Sequence, residues 1–274
     1  MTAVIGFSLE DENIAAATQD CGRVRIVSEP SKSVVQVLFP GNDYPLAYYN
    51  DSFTLVPGDL VYVSGKFEGK LGRVTEVTYN FKIRLADYKR VIAVADTHIC
   101  GKLYNAGSHF VAFGRDVLPR EKMSLWFMPP AEENEDEYAC GDCDEEYILD
   151  DPCSFGFSPA VADKGRAYYA DSRVRYFCLD GSKGFAIVEG SEPYTVEFNY
   201  DNGMISALTC NCFCSFPCKH EFATMAQLKE TLDLILANYA AEYEETGYFA
   251  AVTKSAVFRY AIDGNVFGTF DLNV

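Results

Sequence analysis

Short apolar runs separated by turn residues follow one another from Ser33 to Val94. Such runs, bounded by Gly, Pro and Asp, are typical of β-strands. The runs are VVQVLF, LVYV, GRVTEV, FKIRL and RVIAVA. Five short strands so close together predict a small, strongly bent β-barrel, which we place at residues 33–100.

A second set of strand patterns follows residue 160. The patterns are RVRYFC, GFAIVEG, YTVEFNY and MISALTC. Asn202 and Gly203 join the last two, and this dipeptide tolerates the positive φ angles that a tight hairpin needs. The segment after residue 248 predicts two or three further antiparallel strands with a turn at Asp263-Gly264-Asn265.

One amphipathic helix is predicted from near His220 to about Glu245, because apolar residues recur there every three or four positions. Gly247 is placed to end it. The apolar stripe consists of Phe222, Met225, Leu228, Leu232, Ile235, Leu236 and Tyr239. The predicted fold class is therefore α+β and strand-rich: a small N-terminal β-barrel, then a C-terminal antiparallel sheet with one long helix.

The negative charge is concentrated in one stretch. The net charge is -17, and residues 131–151 contain eleven acidic residues and no Lys or Arg. Like charges at this density repel one another and bury little, so they indicate a loop or linker. The predicted segments are an N-terminal segment 1–32, the barrel 33–100, connecting strands 101–130, an acidic linker 131–155, a main domain 160–247 and C-terminal strands 248–274.

Composition indicates a folded chain in a reducing compartment. The chain is 49% hydrophobic, which is enough to bury a core. Its first residues carry acids where a secretory leader carries bases, and no eighteen apolar residues follow one another, so we expect no leader, no membrane span and a cytoplasmic location. In that compartment, the ten cysteines are expected to bind metal or stay free.

Four cysteines and one of only three histidines lie within TCNCFCSFPCKH, from Thr209 to His220. Cys210 and Cys212 end a predicted strand, where residues two apart share a face. Cys218 and His220 follow five residues later at a predicted helix start, where the helix dipole favours thiolate. The spacing predicts one Zn²⁺ per chain on these four residues, with Cys214 as the alternative to one of them.

This pattern, a Cys-x-Cys pair and then Cys-Lys-His before an amphipathic helix, resembles the SWIM zinc finger. The likeness covers residues 164–236, including a Val-x-Gly-Ser-x-x-Tyr-x-Val pairing upstream. The spacer FCSFP is shorter than in the family and contains Cys214. The resemblance implies a structural zinc finger that serves protein or nucleic-acid binding, in a family found beside helicases among other settings.

Residues 33–77 are also similar to the N-terminal β-domain of primosomal replication helicases, which binds DNA 3′ ends. The likeness lies in VLFPGNDYPLAYYND and LVPGDLVYVSGKFEGKLGRVTEV. For nucleic-acid contact the candidates are Lys70 and Arg73 here, and Arg173 and Arg175 near the cysteine cluster. We favour an ordinary solvated surface over a basic face for the barrel, because the excess of cations is small.

Other constellations are weaker. His98 and Cys100, together with Cys140, Cys143 and Cys153, offer a second set of metal ligands, but we favour incidental cysteines because the pairs are far apart in sequence. His109 stands alone and is interpreted as packed or exposed rather than catalytic. No Walker loop, nucleophile elbow or HExxH motif occurs.

These observations predict a non-catalytic module that presents a surface to a partner. A protein partner is favoured over DNA, because the cations near the cysteine cluster are balanced by acids. The first alternative is an accessory or regulatory subunit of a helicase or DNA-remodelling machine that binds DNA. The second is an enzyme whose active site has no recognisable motif.

Overall fold

The computed structural model describes residues 2–6, 32–130, 145–212, 214, 217–262 and 269–273. Most of the predicted N-terminal segment and residues 131–144 of the predicted acidic linker lie outside these ranges. The strands are β1 (Thr2–Gly6), β2 (Ser33–Leu38), β3 (Leu46–Asn50), β4 (Leu60–Val63), β5 (Gly72–Thr78), β6 (Val91–Ala95), β7 (Lys102–Ala106), β8 (His109–Ala112), β9 (Tyr147–Ile148), β10 (Val174–Asp180), β11 (Lys183–Glu189), β12 (Pro193–Asp201), β13 (Met204–Cys210), β14 (Tyr248–Thr253) and β15 (Thr269–Asn273).

The predicted long helix is two helices in the structure. The helices are α1 (Arg120–Phe127), α2 (Pro159–Ala170), α3 (Lys219–Asn238), α4 (Ala240–Thr246) and α5 (Lys254–Ala256), the last running into a π-helical stretch, Val257–Ile262. Tyr239, with φ -140° and ψ 29°, separates α3 from α4. Gly247 ends α4 in the left-handed conformation at φ 59°, as predicted. The sequence pattern did not predict α1 or α2.

The smaller sheet has five antiparallel strands in the order β3-β2-β5-β4-β6. In the part of the chain that the structure describes it is not a closed barrel, so that prediction is corrected: between its edges there is one isolated bridge, from Tyr49 of β3 to Arg90, the residue before β6. FKIRL is not a strand either, because Leu85–Asp87 is a 3₁₀ turn and Leu85 is exposed. The fifth strand is β3, which the sequence pattern missed.

The larger sheet has ten strands in the order β1-β15-β7-β8-β14-β10-β11-β12-β13-β9. All its pairs are antiparallel except β15 with β7. The four strands predicted after residue 160 are confirmed as β10–β13, and Asn202 and Gly203 both have the positive φ angles that the hairpin requires. VFRYAI was expected to be a strand but is helical, and the predicted turn at residues 263–265 lies outside the described residues.

Each face of the larger sheet covers a core of its own. On β10, Phe177 and Leu179 belong to the core that α3 closes with Leu228 and Ile235. The alternate residues of β10, Tyr176 and Cys178, face a second core, which includes residues of α1, α5 and the smaller sheet. The fold is therefore α+β and strand-rich, as predicted. No helix of the described ranges is long and apolar enough to cross a membrane.

Candidate metal centre

The cysteine cluster lies where β13 ends and α3 begins. The prediction that Cys210 ends a strand is confirmed, and so is the prediction that Cys218 immediately precedes a helix. Asn211, between the first two cysteines, is tied to β12: its side-chain oxygen accepts the Thr195 N–H at 2.9 Å, and its own N–H donates to the Thr195 carbonyl at 3.1 Å. The sheet therefore holds one half of the cluster and the helix the other half.

The structure brings Cys210, Cys212, Cys218 and His220 together, with one ligand atom of each within 4.8 Å of the others. His220 Nδ1 lies 3.6 Å from Cys210 Sγ and 3.7 Å from Cys218 Sγ. In a tetrahedral zinc site, bonds of about 2.3 Å to sulfur and about 2.0 Å to nitrogen separate these atoms by about 3.5 Å. The group therefore fits one tetrahedral ion. Cys214 is exposed and is not part of the group.

Cys218 is fixed by a capping box at the start of α3. Its backbone N–H donates to Glu221 Oε2 at 2.6 Å, and the Glu221 N–H donates to Cys218 Sγ at 3.4 Å. The Cys-x-x-Glu spacing is that of a capping box with cysteine in place of Ser or Thr. This spacing is the sequence signal that could have identified Glu221, which the sequence analysis missed.

His220 is buried between tyrosine rings that orient it. Tyr194 stacks on the imidazole at 4.2 Å between ring centroids, and Tyr168 lies 5.5 Å away. A Cβ on Gly190 would lie only 2.7 Å from the Tyr194 ring, so glycine permits this stack. Nε2 is buried without a hydrogen-bond partner in the described part of the chain. Because Nδ1 faces the sulfurs, it is the nitrogen available to a metal ion.

Without a cation, the surroundings of the cluster favour its neutral forms. Hydrogen bonding with Cys210 and burial raise the pKa of Cys218 far above that of a free thiol. Burial also raises the pKa of Cys212 to about 12 and lowers that of His220 to about 4. A bound cation favours thiolate and leaves the imidazole neutral, which is the protonation state that metal ligands require. Charge and donor chemistry therefore both fit a metal ion.

The four cations proposed for nucleic-acid contact form two pairs that differ in their partners. Arg173 pairs with Asp171 at 3.3 Å, and Arg175 pairs with Glu189. Lys70 and Arg73 line a cleft beside the smaller sheet, whereas Arg175 lines an adjoining one. The arginines near the metal centre are therefore paired with acids, whereas Lys70 and Arg73 pair with no carboxylate of the described residues.

The second set of metal ligands is not assembled in the described ranges. Cys100 is disulfide-bonded, which corrects the expectation that every cysteine binds metal or stays free, and Cys153 is an exposed free thiol. Cys140 and Cys143 lie outside the described residues. Within those residues the cluster at Cys210–His220 is the one group of Cys, His, Asp and Glu side chains that fits a metal ion.

Comparisons of the chain with protein-family models, with curated proteins and with solved structures found no match. The metal centre is therefore defined by its own four side chains and by the residues that position them.

Proposed function

We propose that this chain is a non-catalytic interaction module built around one structural Zn²⁺. The observation that carries the proposal is the grouping of three cysteines and one histidine within 4.8 Å. Thiolate and imidazole are the ligands that zinc prefers, whereas Mg²⁺ and Ca²⁺ take oxygen. Four protein ligands leave no open position for water or substrate, so the metal would act in folding rather than in catalysis.

The metal would join two elements that already pack on each other through a shared core and are linked by a short spacer. Cys210 ends β13 and Cys212 follows it, whereas Cys218 caps α3 and His220 lies in its first turn. One ion bound to all four would hold the β12–β13 hairpin against the helix. This arrangement supports the further proposal that the chain carries a SWIM-type zinc finger with a five-residue spacer.

A protein partner is the better proposal for the surface near the metal centre. Three arginines there are paired with acids, in the pairs Arg166–Asp163, Arg173–Asp171 and Arg175–Glu189. Pairing with carboxylates reduces the attraction of these cations for phosphate. We therefore propose protein binding rather than DNA binding for this face.

Zinc content tests the proposed metal centre. Purified wild-type protein should hold one zinc per chain by elemental analysis. Cys218→Ser and His220→Ala each remove a ligand, and we expect a loss of affinity of at least about a hundredfold, since even outer-shell changes cost 10–100-fold.

Cys214→Ser is the matched control, because Cys214 is a neighbouring thiol outside the cluster. It should retain one zinc per chain. An equal loss of zinc in Cys214→Ser and Cys218→Ser would contradict the ligand set, and wild-type protein free of zinc would contradict the function.

A further inference from the structure

Two adjoining clefts lie between the smaller sheet and the C-terminal helical stretch. Their volumes are about 560 and 660 Å³, and Leu71, Arg259 and Tyr260 line both. Clefts of this size are typical of small-ligand sites. Neither cleft is lined by a residue of the Cys210–His220 cluster.

The 660 Å³ cleft is cationic in an acidic chain. Lys70, Arg73 and Arg259 line it, and none of its described lining residues is Asp or Glu. None of the three cations pairs with a described carboxylate, whereas six arginines elsewhere do. Those six are Arg90, Arg115, Arg120, Arg166, Arg173 and Arg175. Three cations in one concavity, none paired with a carboxylate of the described residues, indicate a site for an anion.

Each of these cations contacts a neutral group, either a backbone carbonyl or an aromatic ring, which does not cancel its charge. Arg73 Nη1 donates to the Gly58 carbonyl at 3.0 Å, which leaves its other N–H groups available. The Arg259 guanidinium lies 5.4 Å from the centroid of the Tyr260 ring, and the Lys70 ammonium lies 5.9 Å from that of Phe67. A neutral ring or carbonyl orders a cation but leaves its full charge for a ligand.

The adjoining cleft supplies aromatic rings. Tyr260 and Phe127, both half-buried, line it, and their ring centroids are 6.3 Å apart with the planes at 68°. Trp126 lies behind Tyr260, edge to face at 5.6 Å, and is itself buried. A flat ligand ring can therefore contact the Tyr260 and Phe127 rings, next to the cationic cleft.

We propose that this double cleft binds a phosphate ester that carries a flat ring. The phosphate would lie at Lys70, Arg73 and Arg259, and the ring would lie against Tyr260 and Phe127. A terminal phosphate, with nearly two negative charges and three acceptor oxygens, matches three cations, whereas a carboxylate is satisfied by one arginine. The proposal goes beyond the interaction module, because it concerns a separate site and a different ligand class.

Two sources share this chemistry: a free nucleotide and the phosphorylated end of a single-stranded nucleic acid. Calorimetric titration of zinc-loaded full-length protein with AMP, adenosine and a 5′-phosphorylated ten-nucleotide strand separates them. AMP should bind and adenosine should not. Tighter binding of AMP than of the strand identifies a free ligand, and the reverse identifies a strand end.

Lys70→Gln and Arg259→Gln should each weaken the binding of the phosphorylated probes by about tenfold, because each removes charge-assisted hydrogen bonds. Lys164→Gln is the matched control, an exposed lysine on α2 outside both clefts, and should bind as the wild type does.

Three results would overturn the proposal. They are no binding of either phosphorylated probe, unchanged binding in the Lys70→Gln/Arg259→Gln double variant, or binding of a hexaglutamate peptide as tight as that of AMP. Because the protein is zinc-loaded in every titration, failure here leaves the proposed metal centre standing.

Discussion

His109 is a fully buried imidazole outside the metal centre. Its Nε2–H donates to the Val174 carbonyl at 2.7 Å, and the Ser108 hydroxyl is 2.9 Å from Nδ1, so both ring nitrogens are satisfied in the neutral form. The ring packs edge to face on Phe177 in the core. The sequence left open whether His109 is packed or exposed, and the structure shows that it is packed.

Burial lowers the pKa of His109 to about 4, and this makes stability depend on pH. As the pH falls below about 6.5, the unfolded chain binds a proton at this residue that the folded chain does not bind until about pH 4. The resulting loss of stability between pH 7 and pH 4 should be about 3 kcal/mol. The measurement is the free energy of unfolding against pH for wild type and His109→Gln.

The wild-type curve should fall more steeply than that of His109→Gln over this range, because glutamine does not titrate. Taking the difference between the two curves removes the titration of all other groups that the variant shares with the wild type. Parallel curves would show that His109 is not a buried neutral group.

At this scale the sequence predicted the four candidate ligands but not the residues that position them. Spacing within twelve residues, together with strand and helix periodicity, was enough to place Cys210 and His220 near each other. The stack of Tyr194 on His220 joins residues on β12 and α3, and the space for it depends on Gly190. Such contacts depend on tertiary packing, which a local pattern does not specify.

Among the helices, α2 and α3 approach closely at one glycine. Gly165, on α2, is buried, and a Cβ there would lie 2.5 Å from the Phe222 ring on α3. The Tyr168 ring, one turn further along α2, lies close to His220. The approach of the two helices therefore brings α2 onto the metal centre.

Gly165→Ala should destabilise the fold by about 1–3 kcal/mol, because overpacking displaces Phe222 or separates the helices. This direction opposes intrinsic propensity, which favours alanine over glycine by about 1 kcal/mol within a helix. Chemical denaturation measures the change. Ala167→Gly, at an exposed position of α2, is the control for propensity alone. A more stable Gly165→Ala protein would contradict the close packing.

The sequence pattern predicted best those strands that pair with the next strand along the chain. The hairpins of β10–β13 follow from alternation and from Asn202-Gly203, because both signals are local. VFRYAI was interpreted as a strand, yet it is helical, and its first residue, Val257, is buried in the second core. FKIRL also has a strand pattern but pairs with no strand of the smaller sheet.

For the whole molecule, the order of the larger sheet was beyond the sequence pattern. β8 and β10 flank β14, so segments from around residues 110, 175 and 250 are neighbours. These pairings close long loops, and alternation within a strand does not identify such distant partners. The predicted domain boundaries stay predictions.

One loop connects the two candidate sites. The loop from β11 to β12 and the first residue of β12 line the 560 Å³ cleft. These lining residues are Gly190, Ser191, Glu192 and Pro193. The hydroxyls of Ser191 and Tyr194 are hydrogen-bonded at 2.9 Å, and Tyr194 stacks on His220. A metal ion on His220 would therefore also stabilise one wall of the cleft.

The metal ligands hold the proposed module together, and X-ray absorption at the zinc edge of the purified protein identifies them directly. We predict three sulfurs at about 2.3 Å and one nitrogen at about 2.0 Å from each zinc. His220→Cys should convert the spectrum to four sulfurs if the variant retains the ion. Four sulfurs in the wild type would show that Cys214 replaces His220, and fewer than three would contradict the centre of Cys210, Cys212, Cys218 and His220.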